Sequence, residues 1–202
     1  IELQNPTTVY NGVDYKLVYD YNYYINKYPD IKAAFNGDEN ATLRHFVECG
    51  MNEGRQGKAS FNVAAYRANY ADLRSAFGRN LKAYYMHYIG SGYREGRKAT
   101  GNGVLKNPVT VYNGVDYSLV YDYNYYISKY SDLKAAFYGD DTAALRHFVE
   151  CGMNEGRQAK DSFNVKKYKN RYNDLQNAFG NDLKSYYMHY IGSGYKEGRK
   201  GN

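Results

Sequence analysis

Residues 5–99 and 107–201 are two versions of one segment. Shifted by 102 positions, NPTTVYNGVDYKLVYD falls on NPVTVYNGVDYSLVYD and the alignment continues without a gap, with 24 of 95 positions differing. A second shift, of 42 residues, lays 18–55 on 60–97 and 120–157 on 162–199. One short unit, used four times, must account for the chain. A unit of that size buries too little apolar surface to stand alone, so neighbouring units must supply the missing contacts.

The positions shared by all four units describe three short helices. Asp20, Asn62, Asp122 and Asn164 precede the first apolar-periodic residues and fit N-caps, where a short side-chain acceptor satisfies the free amides of a helix start. Tyr24 and Tyr28, and their equivalents Tyr66/Tyr70, Tyr126/Tyr130 and Tyr168/Tyr172, are four apart and share a core-facing side. A second helix begins around Asp30, Asp72, Asp132 and Asp174 and ends at Phe35, Phe77, Phe137 and Phe179. A third runs through ATLRHFVEC or LKAYYMHYI to a glycine at 50, 92, 152 or 194, where a C-cap is expected. Before each half, TVYNGVDY sets Asn-Gly between β-branched and aromatic residues, the pattern of a tight hairpin.

The expected architecture is all-α: a tandem array of four three-helix units, each half headed by a short β-hairpin or extended arm. Half one occupies 1–100 (units 18–55 and 60–97), a Gly-rich linker 101–106, and half two 107–202 (units 120–157 and 162–199). No apolar run is long enough to span a membrane, and the start at Ile1 without a methionine reads as that of an excised or processed segment. The net charge of +6 is mild and interspersed with acidic residues, which speaks against a nucleic-acid groove. Twenty-seven tyrosines, eight phenylalanines and no tryptophan are the unusual feature. Tyrosine supplies large amphipathic contact area with few rotatable bonds.

Each unit closes with H-x4-G-x2-E-G-R, as in His45, Gly50, Glu53, Gly54 and Arg55. His45 and Cys49 are four apart and, with Glu53, could offer metal ligands. The sister units carry Ser91 and Ser193 at the cysteine position, which argues for no metal and no cofactor. The expected role is structural: a histidine hydrogen bond within the unit and a Glu–Arg pair reaching the Asp30 position. Cys49 and Cys151 are expected to be reduced, partly buried hydrophobes rather than a bridge. There is no G-x-S-x-G, H-E-x-x-H or phosphate-binding glycine loop, and an enzyme is not expected.

Sister units separate core from surface tyrosines. Tyr21 aligns with Val63, Tyr123 with Val165, Tyr85 with Leu43 and Tyr187 with Leu145, all expected inside. Tyr23 aligns with Ala65, Tyr125 with Lys167, Tyr84 with Thr42 and Tyr186 with Ala144. Tyr23, Tyr84, Tyr125 and Tyr186 are therefore the candidate exposed, ligand-binding residues.

The pattern Y-x3-Y-[PS]-D-[IL]-K-A-A-F, followed by H-[FY]-V-E-x-G-M-x-E-G-R and the NP-x-TVYNGVDY lead-in, resembles tandem modules of secreted and cell-surface proteins of gut clostridia of the Lachnospiraceae type. The resemblance covers essentially the whole chain. It departs in placing Cys49 and Cys151 where an aromatic usually precedes the recurrent glycine. In that family the modules accompany lysozyme-like hydrolase and immunoglobulin-like domains, and some surface proteins of these bacteria resemble superantigens that engage immunoglobulin variable regions. The resemblance implies a secreted or cell-surface location and a non-catalytic binding role, as a monomer within a larger protein. The expected partner is a host protein such as immunoglobulin. Bacterial cell wall or glycan is the alternative, and a purely structural spacer a third.

Overall fold

Asn11 and Gly12 both take positive φ, 47° and 77°, as do Asn113 and Gly114, at 49° and 78°. That pair of left-handed residues matches the twist of a two-residue hairpin. Val9–Tyr10 (β1) accordingly pairs antiparallel with Val13–Asp14 (β2), and Val111–Tyr112 (β3) with Val115–Asp116 (β4). The computed structural model describes all 202 residues; the protein is otherwise mostly helical and divides into two compact bodies, Ile1–Lys106 and Asn107–Asn202. The Gly-rich segment ends tied to the first body: the Lys106 N–H donates to the Ala68 carbonyl at 2.9 Å, and Arg74 donates to the Lys106 carbonyl at 2.7 Å.

In the first body the helices are α1 (Tyr21–Lys27), α2 (Pro29–Phe35), α3 (Glu39–His45), α4 (Val63–Asn69), α5 (Ala71–Phe77) and α6 (Leu81–His87). In the second they are α7 (Tyr123–Lys129), α8 (Ser131–Phe137), α9 (Asp141–His147), α10 (Val165–Arg171), α11 (Asn173–Phe179) and α12 (Leu183–His189). Every helix has seven residues, too few to persist alone in water. Side-chain caps and packing hold them. Asp20, Asn62, Asp122 and Asn164 each accept an amide hydrogen bond three residues on, at 2.8 to 3.1 Å.

The recurrent glycine is not a C-cap. After α3 the helix widens into a π-helical turn, Phe46–Gly50, with the Met51 N–H donating to the Phe46 carbonyl, and α6, α9 and α12 continue in the same way. Gly50 lies inside that turn, and a methyl group there would stand 2.6 Å from the Tyr24 hydroxyl. The glycine is needed for close approach rather than for a left-handed backbone. That second role falls to Gly54, Gly96, Gly156 and Gly198, all with φ between 70° and 75°.

The tyrosine passing over that glycine is the centre of each unit. Tyr24, Tyr66, Tyr126 and Tyr168 are buried, and their hydroxyls hydrogen-bond His45, His87, His147 and His189 at Nδ1, 2.9 to 3.2 Å away. Burial pushes all four phenols well above their ordinary pKa. Four residues along the helix, Tyr28, Tyr70, Tyr130 and Tyr172 pack edge-on against them. Those outer rings carry the arginines of the EGR motif: the Arg55, Arg97, Arg157 and Arg199 guanidiniums sit 4.8 to 5.0 Å from the ring centroids.

Each of these arginines also bridges two carboxylates. Arg55 binds Asp30 at 2.8 Å and Glu53 at 2.5 Å, and the other three units repeat the arrangement. Arg157 holds the Asp132 carboxyl below the usual carboxylate range, Arg199 does so for Asp174 and Glu197, and Arg97 for Glu95. A carboxyl depressed on folding adds stability above its unfolded pKa of about 4 and loses it as pH falls through the folded value. The thermal midpoint should therefore drop chiefly below about pH 4. Arg199→Gln should show a smaller acid drop than the parent in melts at pH 7, 5 and 3, and an equal drop would refute the assignment. These pairs are exposed, so high salt should shrink the difference.

Candidate functional site

Two of the four tyrosines expected to be exposed, Tyr23 and Tyr125, are only partly so. Tyr23 and Tyr125 are half-buried on the outer sides of α1 and α7, each with a lysine one turn on. Lys27 Nζ donates to the Tyr23 hydroxyl at 3.1 Å and lies 5.4 Å from the ring centroid; Lys129 does the same for Tyr125 at 2.9 Å and 5.1 Å. The lysine also donates to Gln56 Oε1 at 2.8 Å, or to Gln158 Oε1 at 2.7 Å. The glutamine amide in turn donates to the carbonyl of Lys58, or Lys160, at 3.1 Å. Ring, ammonium and amide are thereby tied to one loop. The result is a phenol platform with few conformations to lose on contact, present in both bodies.

Beside the second copy lies a cleft of about 290 Å³ lined by Asp122, Tyr125, Lys160, Asp161 and Ser162. In the first body Ala59 stands where Asp161 stands, so the cleft chemistry differs between copies although the platform does not.

Tyr84 and Tyr186 are not surface residues: both are fully buried. The sister residues explain why the comparison failed. Thr42 and Ala144 are also fully buried, so this position alternates between large and small inside the core rather than between wet and dry. The Tyr84 hydroxyl donates to the Gly78 carbonyl at 2.8 Å and Tyr186 to Gly180 at 2.7 Å, each in the loop between the second and third helices. In the other two units the same loop is reached by Tyr21 and Tyr123, whose hydroxyls accept from the Gly37 and Gly139 amides. Where the first helix supplies a tyrosine, the third supplies Thr or Ala; where the first supplies Val63 or Val165, the third supplies the tyrosine.

Cys49 and Cys151 are free and exposed rather than partly buried. Each follows the buried Phe-Val pair on the outward side of the π-helical turn. No three His, Cys, Asp or Glu side chains come together in a way that could hold a metal ion, and no helix is long and apolar enough to cross a membrane.

Sequence comparison missed the most exposed recurrent tyrosines. Tyr93 and Tyr195 are each 56% exposed, at the ends of the second and fourth units, and lean edge-on against Tyr88 and Tyr190. Their sister residues are Met51 and Met153, both fully buried. An apolar residue in one unit therefore concealed a surface residue in the next. No family model matches this chain, and neither a curated protein nor a solved structure matches it.

Proposed function

We propose that the chain is a tandem array of four three-helix units acting as a non-catalytic, extracellular bacterial surface module. It binds a host protein bivalently through Tyr23 and Tyr125, with an immunoglobulin variable region as the sharpest candidate. The supporting observation is the same Tyr-Lys-Gln platform repeated in both bodies, on residues the core does not require. A tyrosine held by a neighbouring lysine offers aromatic area and a polar tip at low entropic cost. Two copies raise avidity when both engage one multivalent ligand. The immunoglobulin candidate rests on the resemblance of the EGR-ended units to surface proteins of gut clostridia.

The test is binding of the chain to immobilised pooled immunoglobulin and, separately, to purified bacterial cell wall. Replacing Tyr23 and Tyr125 together by serine should weaken immunoglobulin binding more than about tenfold, about 1.4 kcal/mol. Helicity and thermal midpoint should stay close to the parent. Undiminished binding by the double variant would remove the platform from the site. The cleft beside Tyr125, which sets two carboxylates, an ammonium and a hydroxyl next to an aromatic ring, favours a glycan as the second reading. Binding to cell wall alone would select it.

A further inference from the structure

The four units are alike in sequence but not in what covers them. Within each body the closing turn of the first unit is roofed by the third helix of the second. Lys82 Nζ donates to the Val47 carbonyl and the Tyr85 hydroxyl to the Arg55 carbonyl, at 2.9 and 2.7 Å. Lys184 and Tyr187 repeat this on Val149 and Arg157. Met51 and Met153 are fully buried there, and a methyl group on Gly54 would stand 3.1 Å from Leu81 Cδ1. The equivalent turn of the second unit is open in both bodies. Tyr93 and Tyr195 replace the methionines at 56% exposure, and Gly96 and Gly198 have nothing within 4 Å of a methyl group placed on them.

Charge follows the same alternation. Units 18–55 and 120–157 each carry a net −2, whereas 60–97 and 162–199 each carry +4. Beyond the basic positions the two share, the excess is built from different residues: Arg74 and Arg79 in one, and Lys166, Lys167 and Arg171, offset by Asp182, in the other. A basic open end would repel its own copy and suits an acidic first unit.

The corresponding edge of the first unit is partly covered by its own lead-in: the Thr7 N–H donates to Glu39 Oε2 at 2.6 Å and Leu43 is buried, which leaves Asn40 exposed. The edge of α6 that roofs the preceding turn presents Leu81, Lys82 and Tyr85; the same positions of α3 are Glu39, Asn40 and Leu43. Beside that edge, between α3 and the hairpin, lies a cleft of about 260 Å³ lined by Val9, Tyr10, Asp38, Asn40 and Leu43 among others. Its rim carries both the Asp38 carboxylate and the Arg44 guanidinium. Val9 is itself 55% exposed.

We propose that this protein associates weakly with a second copy of itself, head to tail. The open Tyr93 or Tyr195 end of one chain seats against the Val9–Asn40 cleft of the next. Such an interface is heterologous, so it leaves a free end and a free cleft on every pair and can propagate. This surface is separate from Tyr23 and Tyr125 and does not depend on the host-protein reading.

Sedimentation equilibrium of the full chain tests it. At about 1 mM protein in about 50 mM salt the average mass should reach at least about 1.5 times that of one chain, falling towards a single chain at about 20 μM or in about 500 mM salt. The variant Tyr93→Glu/Tyr195→Glu, which changes only exposed rings, and the variant Asn40→Trp, which fills the cleft mouth, should each stay single while keeping parental helicity. Mixed in equal amounts they should associate again, because one retains a cleft and the other the ends. A wild-type chain that remains single at the highest concentration overturns the proposal. So does an Asn40→Trp variant that associates as strongly as the parent, which would place the contact end to end.

Discussion

Gly194→Ala should cost about 3 kcal/mol of stability, a fall in thermal midpoint on the order of 15 °C for a domain of this size. The new methyl group would overlap the Tyr168 hydroxyl and stand 3.1 Å from His189 Nδ1. The ring cannot swing clear, because it is fully buried between Phe163, Tyr172 and Tyr190. Either the hydroxyl gives up its hydrogen bond to His189 or the π-helical turn opens. Removing the obstruction supplies the control: Tyr168→Phe alone should cost about 1 kcal/mol, the usual net value of such a bond. Gly194→Ala/Tyr168→Phe should then be more stable than Gly194→Ala alone. Gly192→Ala, where nothing lies within 4 Å, should be close to neutral. Denaturant melts of the four variants decide it. A Gly194→Ala chain within about 0.5 kcal/mol of the parent would mean the tyrosine yields freely and the glycine has some other purpose.

The helices, their caps and the hairpins were legible because each depends on local chemistry that the duplications display repeatedly. Asp20 or Asn62 before an apolar stretch, and Asn-Gly between β-branched residues, specify their geometry within a few residues of chain. The Glu53–Arg55–Asp30 bridge was legible for another reason: three charged positions kept in register across four units leave few other partners. The recurrent glycine was misread because a glycine at a helix end and a glycine under a crossing side chain look alike in sequence. Only the Tyr24 hydroxyl above it distinguishes them. Surface assignment was legible where an alternative residue was charged, as with Tyr125 and Lys167. It carried no information where the alternative was small: Thr42, the counterpart of the buried Tyr84, and Ala65, the counterpart of the half-buried Tyr23, are both buried, because small residues are buried as readily as large ones. It failed at Tyr93 because Met51 is buried by a neighbouring unit, a property of position in the array that no comparison between units contains.

The exchange of tyrosines between the first and third helices leads to the other large effect. Tyr186→Ala should destabilise the chain by about 3–5 kcal/mol, as expected for deleting a fully buried ring that packs on Phe179 at 5.4 Å and donates a hydrogen bond to Gly180. Val165→Tyr alone should also destabilise, by about 1–3 kcal/mol, since it forces a second ring towards a loop already occupied. Together, Val165→Tyr/Tyr186→Ala recreates the Tyr123/Ala144 pair of the preceding unit, in which the tyrosine comes from the first helix and its hydroxyl reaches the Gly139 amide. The double variant should therefore be more stable than Tyr186→Ala by at least about 1.5 kcal/mol, a coupling of the size found between residues that share one cavity. Equilibrium melts of the three variants against the parent measure that coupling directly. If the two costs simply add, the tyrosines do not compete for one space, and the alternation between Tyr/Ala and Val/Tyr in successive units is unrelated to packing.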